Sequence, residues 1–462
     1  MGSSDIRSGR LSASQYADNF ADAHPRLTPV QARIESERCY YCFDAPCTTA
    51  CPTGIDIPAF IRRISEDNLR GAARAILEEN VFGGMCARVC PTEVLCEQAC
   101  VRNANEDKPV EIGLLQRHAT DHLMAHPGAP LFTRAASTGR RVAVVGAGPA
   151  GLACAHRLAL LGHDVVVFDA KPKPGGLNEY GLARYKTPDD FAQREIAWLL
   201  SIGGIEIRHG KVLGRDVTLD ALAAEHDAVF LAIGLAGVNA LGLAGEQLGG
   251  VENAVDFIAR LRQSSDFSTL PIGRRVLVIG GGMTAVDAAV QSRRLGAEEV
   301  TIVYRRAQEL MSASQHEQAW AQNNGVLIRT WSALKRLHSS DGRVSGATFA
   351  TVRERDGRLE ETGETWTAEA DMVFKAIGQT LDAGNTAGIV LQQGRIRVDA
   401  QGRSSRAGIW AGGDCTFGGK DLTVEGVEHG KIAAHSIDAA LRGGAPAPKG
   451  APTCTHVRRP TP

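Results

Sequence analysis

Arg140-Arg141-Val142-Ala143-Val144-Val145-Gly146-Ala147-Gly148-Pro149-Ala150-Gly151 is the stretch that decides the fold. Its first six residues hold a short apolar run, which reads as a parallel strand buried on both faces. The next six are a glycine turn, and residues 152–161 read as a helix. Gly146 permits the tight turn, Gly148 lets a pyrophosphate approach the backbone, and Gly151 lets helix and strand pack closely. Pro149 and Ala150 sit where the helix N-terminus offers N–H donors to the anion. A second strand over 165–168 ends at Asp169, 18 residues after Gly151, where an acid takes ribose hydroxyls.

The same grammar returns 134 residues later. Arg274-Arg275-Val276-Leu277-Val278-Ile279 repeats the strand and Gly280-Gly281-Gly282-Met283-Thr284-Ala285 the turn, with Ala285 at the third glycine position. Gly280, Gly282, Met283, Thr284 and Ala285 are therefore candidate contacts of a second dinucleotide. Its second strand ends at Tyr304-Arg305-Arg306, where the first unit has Asp169. A carboxylate there repels a 2′-phosphate, whereas guanidinium groups bind one bidentately. Arg305 and Arg306 thus select NADPH over NADH, against the plain alternative of a solvated basic strand end.

Two further apolar runs end in glycine, at Gly234 and Gly378, and Ile409-Trp410-Ala411-Gly412-Gly413-Asp414 follows before another helix. The order predicts an α/β protein with two Rossmann-like domains, the second inserted in the first. Gly413 and Asp414 are placed to meet ribose or ribityl hydroxyls. Leu422, Thr423 and Val424 open a helix whose N-terminal dipole favours negative charge on a reduced flavin. This pairing resembles the two-dinucleotide flavoprotein reductases, and that resemblance puts FAD in the first site and NAD(P)H in the second.

Composition narrows the class. Apolar residues are 44% and charged residues 22% of 462, which allows real cores, and a net charge of −1 gives no electrostatic case for nucleic acid or membrane. No run approaches a membrane span and residues 1–10 lack a signal-peptide core, so a cytoplasmic protein is expected. Of 11 cysteines, eight lie between Cys39 and Cys100. In a reducing compartment such density points to metal or redox chemistry. The spacing is Cys39-x2-Cys42-x4-Cys47-x3-Cys51-Pro52, then Cys86-x3-Cys90-Pro91-x4-Cys96-x3-Cys100. Each half resembles a ferredoxin-type ligand run; two structural zinc ions are the alternative. Helices are expected over 58–80, with Gly71 as the break, and over 112–124.

Arg38-Cys39-Tyr40-Tyr41-Cys42-Phe43-Asp44-Ala45-Pro46-Cys47, Cys86-Ala87-Arg88-Val89-Cys90-Pro91-Thr92-Glu93 and Ile112-Gly113-Leu114-Leu115-Gln116-Arg117 resemble the NAD(P)H-oxidising subunit of bacterial dihydropyrimidine dehydrogenase. The resemblance runs from about residue 31 to 441; the glutamate synthase small subunit shares the architecture with a less similar cysteine segment. It implies two interleaved [4Fe–4S] clusters, one on Cys39, Cys42, Cys47 and Cys100, the other on Cys51, Cys90, Cys96 and Gln116. Spacing alone gives the eighth position to Cys86. The resemblance also makes Gly176 and Leu177, within Gly175-Gly176-Leu177-Asn178-Glu179-Tyr180-Gly181, part of a flavin-proximal loop.

The expected domains are a helical cluster domain (1–137), an FAD domain (138–272 and 368–442), an inserted NAD(P)H domain (273–367) and a loose tail (443–462). Hydride transfer between stacked rings needs no acid–base residue, and none is assigned. After the two nucleotide domains nothing near the ~250 residues of a (β/α)₈ barrel remains. The resemblance therefore implies a separate FMN-containing subunit that reduces uracil or thymine, in a heterotetramer. Service to glutamate synthase, a free-standing NADPH reductase and a zinc-holding assembly module are the competing readings.

Overall fold

The strand Arg141–Val145 takes the centre of a five-stranded parallel sheet in the order Ile409–Ala411, Ala228–Leu231, Arg141–Val145, Asp164–Phe168, Ile205–Arg208. The computed structural model describes residues 10–443 apart from 383, 385 and 387, so the expected tail over 443–462 lies, after its first residue, outside the described residues. Val142, Val144, Val165, Val167 and Phe230 are buried on one side of this sheet and Ala143, Val145 and Val229 on the other, as a strand covered on both faces requires.

A second parallel sheet repeats the plan: Val251–Asn253, Met372–Ala376, Arg275–Gly280, Glu299–Val303, Val326–Arg329. Between its last two members in sequence runs an antiparallel sheet of Ser332–Ser340, Arg343–Arg355 and Arg358–Glu369. The chain then returns to the first sheet through Ile409–Ala411. The fold is thus α/β with one Rossmann-like domain inserted in another.

The expected borders at 272/273 and 367/368 need correcting, because they cut the second sheet from its own members. Met372–Ala376 pairs with Arg275–Gly280, from Met372↔Val276 to Ala376↔Gly280. The helix Ala254–Gln263 buries Phe257, Ile258 and Leu261 in the same core. The runs ending at Gly234 and Gly378 look alike because each lies beside the dinucleotide strand of its own sheet. A Cβ at Gly146 would strike the Ala232 carbonyl, and one at Gly280 the Ala376 carbonyl.

The cysteine segment is helical: Pro29–Glu37, Ile57–Ser65, Leu69–Glu79, Gly83–Val89 and Ile112–Ala125 surround a core of Phe60, Ile61, Ile76 and Leu115. The break in the 58–80 pattern is not at Gly71. Asp67 turns the chain at φ 59°, and the Asn68 side chain caps the next helix by accepting from the Gly71 N–H at 2.9 Å. A side-chain N-cap marks where a helix starts, so the new helix begins at Asn68 and Gly71 falls within its first turn.

The first residues also belong elsewhere than expected. On the helix Ala13–Asn19, Tyr16 is buried, as is Phe20 just beyond, both in the core of the second nucleotide domain; the Phe20 ring lies 4.4 Å from that of Phe267. Asn19 Nδ2 donates to the Arg294 carbonyl at 2.8 Å, and Arg294 returns a bond to the Asn19 carbonyl at 2.6 Å. This arm then crosses back, where Arg117 grips the carboxylate of Asp22. A cluster domain beginning at residue 1 therefore includes a piece of its neighbour.

Candidate functional site

Four motifs far apart in sequence meet at the first glycine turn. The helix Pro149–Leu160 starts at Gly148 with no side chain among the described residues capping it, which leaves N–H donors for an anion. Asp169 stands at the adjoining strand end, its Oδ2 accepting from the Ala147 N–H at 2.6 Å and its Oδ1 from the Lys171 N–H at 2.7 Å. These bonds hold the carboxylate against the turn. The loop Gly175-Gly176-Leu177 docks on it, with the Gly175 N–H donating to the Ala147 carbonyl at 2.7 Å. Gly176 has φ 54°, and a Cβ there would sit 2.7 Å from the Gly148 Cα. Only glycine allows this approach.

Gly413 and Asp414 reach the same place from the other end of the chain. The Gly413 N–H donates to His429 Nδ1 at 3.1 Å, and a Cβ on Gly413 would touch the Ala150 methyl at 3.2 Å. Burial, with Asp421 nearby, pushes the Asp414 carboxyl up to about 6. The helix Thr423–Leu441 follows, again without a side-chain cap at Leu422. Its first-turn N–H groups, including those of Thr423 and Val424, are free to meet an acceptor with the dipole behind them. Thr423 Oγ1 donates to Asn178 Oδ1 at 2.6 Å, tying this helix to the Gly176 loop. Two uncapped helix starts, a close-approach glycine pair and a buried acid together suit a dinucleotide carrying a flavin ring.

The second turn is built alike. The helix Met283–Leu295 begins at Gly282 with no side-chain cap, and Ala285 is fully buried against its strand. The Ala313 N–H donates to the Gly281 carbonyl at 3.0 Å, which closes Ser312 over the turn. Tyr304 packs under Gly281 and its hydroxyl donates to the Leu310 carbonyl at 2.8 Å. Arg305 and Arg306 are exposed at the strand end, open to an incoming phosphate.

The cysteines form two groups that mix the halves of the sequence. Cys39, Cys42, Cys47 and Cys100 line one cavity, walled by Ile57, Ile61, Val110 and Ile112. Burial and the neighbouring thiols Cys39 and Cys100 push Cys47 up to about 11. Cys90 stands with Cys86, Cys96 and Cys51, and its thiol is raised by a bond to Cys86 and by burial. Gln116 is buried on the helix Ile112–Ala125, its Nε2 donating to the Gly83 carbonyl at 2.7 Å. Crowded, desolvated thiols become thiolates only where cationic charge compensates them, and iron supplies it. The donor set therefore fits iron–sulfur ligation.

Buried polar residues that no motif announces join the three parts. Glu195 accepts from the Gly84 N–H at 2.7 Å and the Met85 N–H at 3.1 Å, holding the start of the helix that leads to Cys90; burial pushes its carboxyl up to about 8. Lys431, on the helix that starts at Thr423, donates to the Thr53 carbonyl at 2.8 Å, two residues after Cys51, and pairs with Glu79 at 2.7 Å. Lys186 bridges Asp287 at 2.8 Å and Glu317 at 2.7 Å, joining the flavin-side loop to the second domain. Ser314 Oγ donates to Glu93 Oε1 at 2.5 Å, three residues after Cys90. Each is an ordinary charged or hydroxyl residue in sequence, and only the tertiary contact distinguishes it.

Known proteins share both halves of this arrangement. The family model for pyridine nucleotide-disulphide oxidoreductases matches residues 140–434. The model for dihydropyrimidine dehydrogenase domain II, 4Fe-4S cluster, matches residues 16–127, a range holding all eight clustered cysteines. The chain is 37% identical over 413 residues to a homologue of the NAD-dependent dihydropyrimidine dehydrogenase subunit PreT from Salmonella typhi, covering 89% of this chain and 95% of that one. It is 34% identical to the glutamate synthase [NADPH] small chain of Halomonas elongata, covering 92% and 94%. FprA of Mycobacterium tuberculosis, solved with NADPH, shares the fold of the nucleotide domains at TM-score 0.55 and 19% identity, over 66% of this chain and 85% of that one. No described helix is long and apolar enough to cross a membrane. The chain belongs to the pyridine nucleotide-disulphide oxidoreductases, in the group that joins the 4Fe-4S domain of dihydropyrimidine dehydrogenase to a flavin and NAD(P) reductase and includes the PreT subunits.

Proposed function

We propose that this chain is the electron-input subunit of a dihydropyrimidine dehydrogenase. In this reading it oxidises NADPH at a bound FAD and sends electrons through two [4Fe–4S] clusters to a partner holding FMN, where uracil or thymine becomes the 5,6-dihydro product. The observation that carries it is the cavity where Cys100 joins Cys39, Cys42 and Cys47, in a domain bonded to the flavin-side helices through Glu195 and Lys431. FAD, when bound, would supply the conversion of one hydride's electron pair into single electrons. The chain's own residues do the holding. Gly146, Gly148 and the start of Pro149–Leu160 receive the first pyrophosphate, and Gly280, Gly282 and the start of Met283–Leu295 the second. Asp169 and Asp414 bind hydroxyls, and Arg305 with Arg306 select the 2′-phosphate.

Cys39, Cys42, Cys47 and Cys100 would hold the first cluster, and Cys51, Cys90, Cys96 and Gln116 the second. The Gly83 carbonyl occupies Gln116 Nε2 and so orients the amide with its oxygen as the ligating end. Exchange of Cys86 for serine should leave the iron content unchanged, whereas Cys100→Ser should remove one cluster's share. Loss of a cluster in C86S would transfer the eighth position to Cys86. Tyr40, Phe43 and Val101 are exposed beside Cys39, Cys42 and Cys100, an apolar rim suited to a partner subunit.

The reading is tested anaerobically with the purified chain. NADPH should bleach the flavin band and produce the paramagnetic signal of reduced iron–sulfur clusters. Co-purification should bring down an FMN protein active on uracil. Absence of iron, or a flavin that stays oxidised under NADPH, overturns the proposal. A large glutaminase partner would instead assign the chain to glutamate synthase, the function named for the Halomonas elongata relative.

A further inference from the structure

We propose that Asn178 is a flavin-binding residue, donating a hydrogen bond from its side-chain amide to the bound flavin; this rests on the FAD reading above. Asn178 is fully buried at the point where the loop Gly175–Gly176, the first glycine turn and the start of Thr423–Leu441 converge. Everything about it is held except one end. Its backbone N–H donates to the Gly175 carbonyl at 3.1 Å, and its backbone carbonyl accepts from Arg262 Nη2 at 3.1 Å. Its Oδ1 accepts from Thr423 Oγ1 at 2.6 Å. The amide Nδ2 has no partner among the described residues.

A fully buried amide nitrogen left unpaired costs about 1–3 kcal/mol, and native structures keep few such groups without a ligand or water beside them. The surroundings say which ligand. Gly176 and Gly148 are already pressed together as a nucleotide turn needs, and the helix Thr423–Leu441 presents uncapped N–H groups at the same junction. The ligand there is rich in acceptors, and a flavin ring, with two carbonyls and unprotonated ring nitrogens, supplies them. Thr423 then acts as more than a helix start: it bonds Oδ1, and the donating end of the amide faces away from it. Arg262, itself buried, locks the backbone of the same residue and of Glu179. No reorganisation is left for the moment of binding, which favours affinity.

Two variants separate this role from a structural one. Asn178→Asp keeps an acceptor for the Thr423 hydroxyl and the same shape, but replaces the donor with an acceptor. Asn178→Leu removes both ends. The readouts are the flavin dissociation constant, from fluorescence of released FAD, and the visible spectrum of the bound flavin, with the melting temperature of the flavin-free protein checking the fold. A flavin-binding amide predicts at least three- to tenfold weaker FAD binding in both variants, as loss of one hydrogen bond implies, and a shifted flavin band in N178D. A merely structural amide predicts that N178D matches the parent and only N178L weakens; that result overturns the inference and leaves the FAD reading intact. A parent protein that binds no flavin overturns both.

Discussion

Replacing Gly430 by alanine tests whether the flavin site depends on how closely two helices lie. Gly430 is on Thr423–Leu441, facing Pro149–Leu160. A methyl there would press into the Ala150 carbonyl oxygen, lie 2.8 Å from the Cys154 nitrogen and 3.1 Å from the Ala153 Cβ. The first two are backbone atoms of one rigid helix, so relief requires the helices to part. One turn earlier on the same face, a methyl at Gly426 meets the Ala150 nitrogen at 3.4 Å and the Pro149 Cβ at 3.5 Å, which is ordinary contact. Both exchanges gain about 1 kcal/mol of helix propensity. Only G430A incurs overpacking, about 1–3 kcal/mol. The propensity cancels between the two variants, so G430A should be less stable than G426A by about 1–3 kcal/mol, or several degrees in melting temperature for domains of this size. Parting the helices also draws Thr423 and Gly413 away from Gly148. The assay is an apparent melting temperature together with the flavin retained after gel filtration. G426A should match or exceed the parent, and G430A should melt lower and lose flavin. A G430A protein that melts with G426A and keeps its flavin refutes the reasoning.

Glu195 gives a pH dependence. Burial raises its carboxyl from 4.5 to about 8, so the folded protein keeps a proton that the unfolded chain releases. Its stability contribution is full below about pH 4.5 and fades as pH rises through 8. The melting temperature of the parent, relative to E195Q, should therefore fall between pH 6 and 9; a constant difference would refute this. Lys186→Met leaves Asp287 and Glu317 facing each other without their cation, and should cost about 3–5 kcal/mol in urea unfolding. Neutralising both acids in the same background should recover part of it; a single variant as stable as the parent would refute the buried bridge. Replacing Arg305 and Arg306 together by alanine should lower the NADPH/NADH ratio of kcat/KM at least tenfold, at about 1.5–3 kcal/mol for each charge-assisted bond lost. An unchanged ratio removes the 2′-phosphate assignment.

Much of this site was legible because its physics is local. A glycine turn needs its neighbours in sequence, and so Gly146–Gly151 and Gly280–Ala285 announce themselves along with the strands that feed them. The eight clustered cysteines announce a redox or metal centre by density alone, but their sorting into Cys39, Cys42, Cys47 and Cys100 came from family resemblance, since spacing favours the two halves. Placement of Met372–Ala376 failed for a related reason: one apolar strand resembles another, and sheet membership is decided by pairing far away in sequence. Buried polar groups were least visible. Lys186, Glu195 and Asn178 look like surface residues until the chain folds over them, because burial of a charge or amide is set by partners 100 or more residues distant.

The arm from Leu11 to Phe20 has a practical consequence for anyone dissecting this protein. A fragment expressed from the first Rossmann strand onward would display a greasy socket around Phe267, lacking the plug that Tyr16 and Phe20 provide. A fragment ending before that strand would carry the plug with nothing to fill. The iron-binding portion is consequently no interchangeable cassette: swapping it between relatives means transplanting the arm and its socket together.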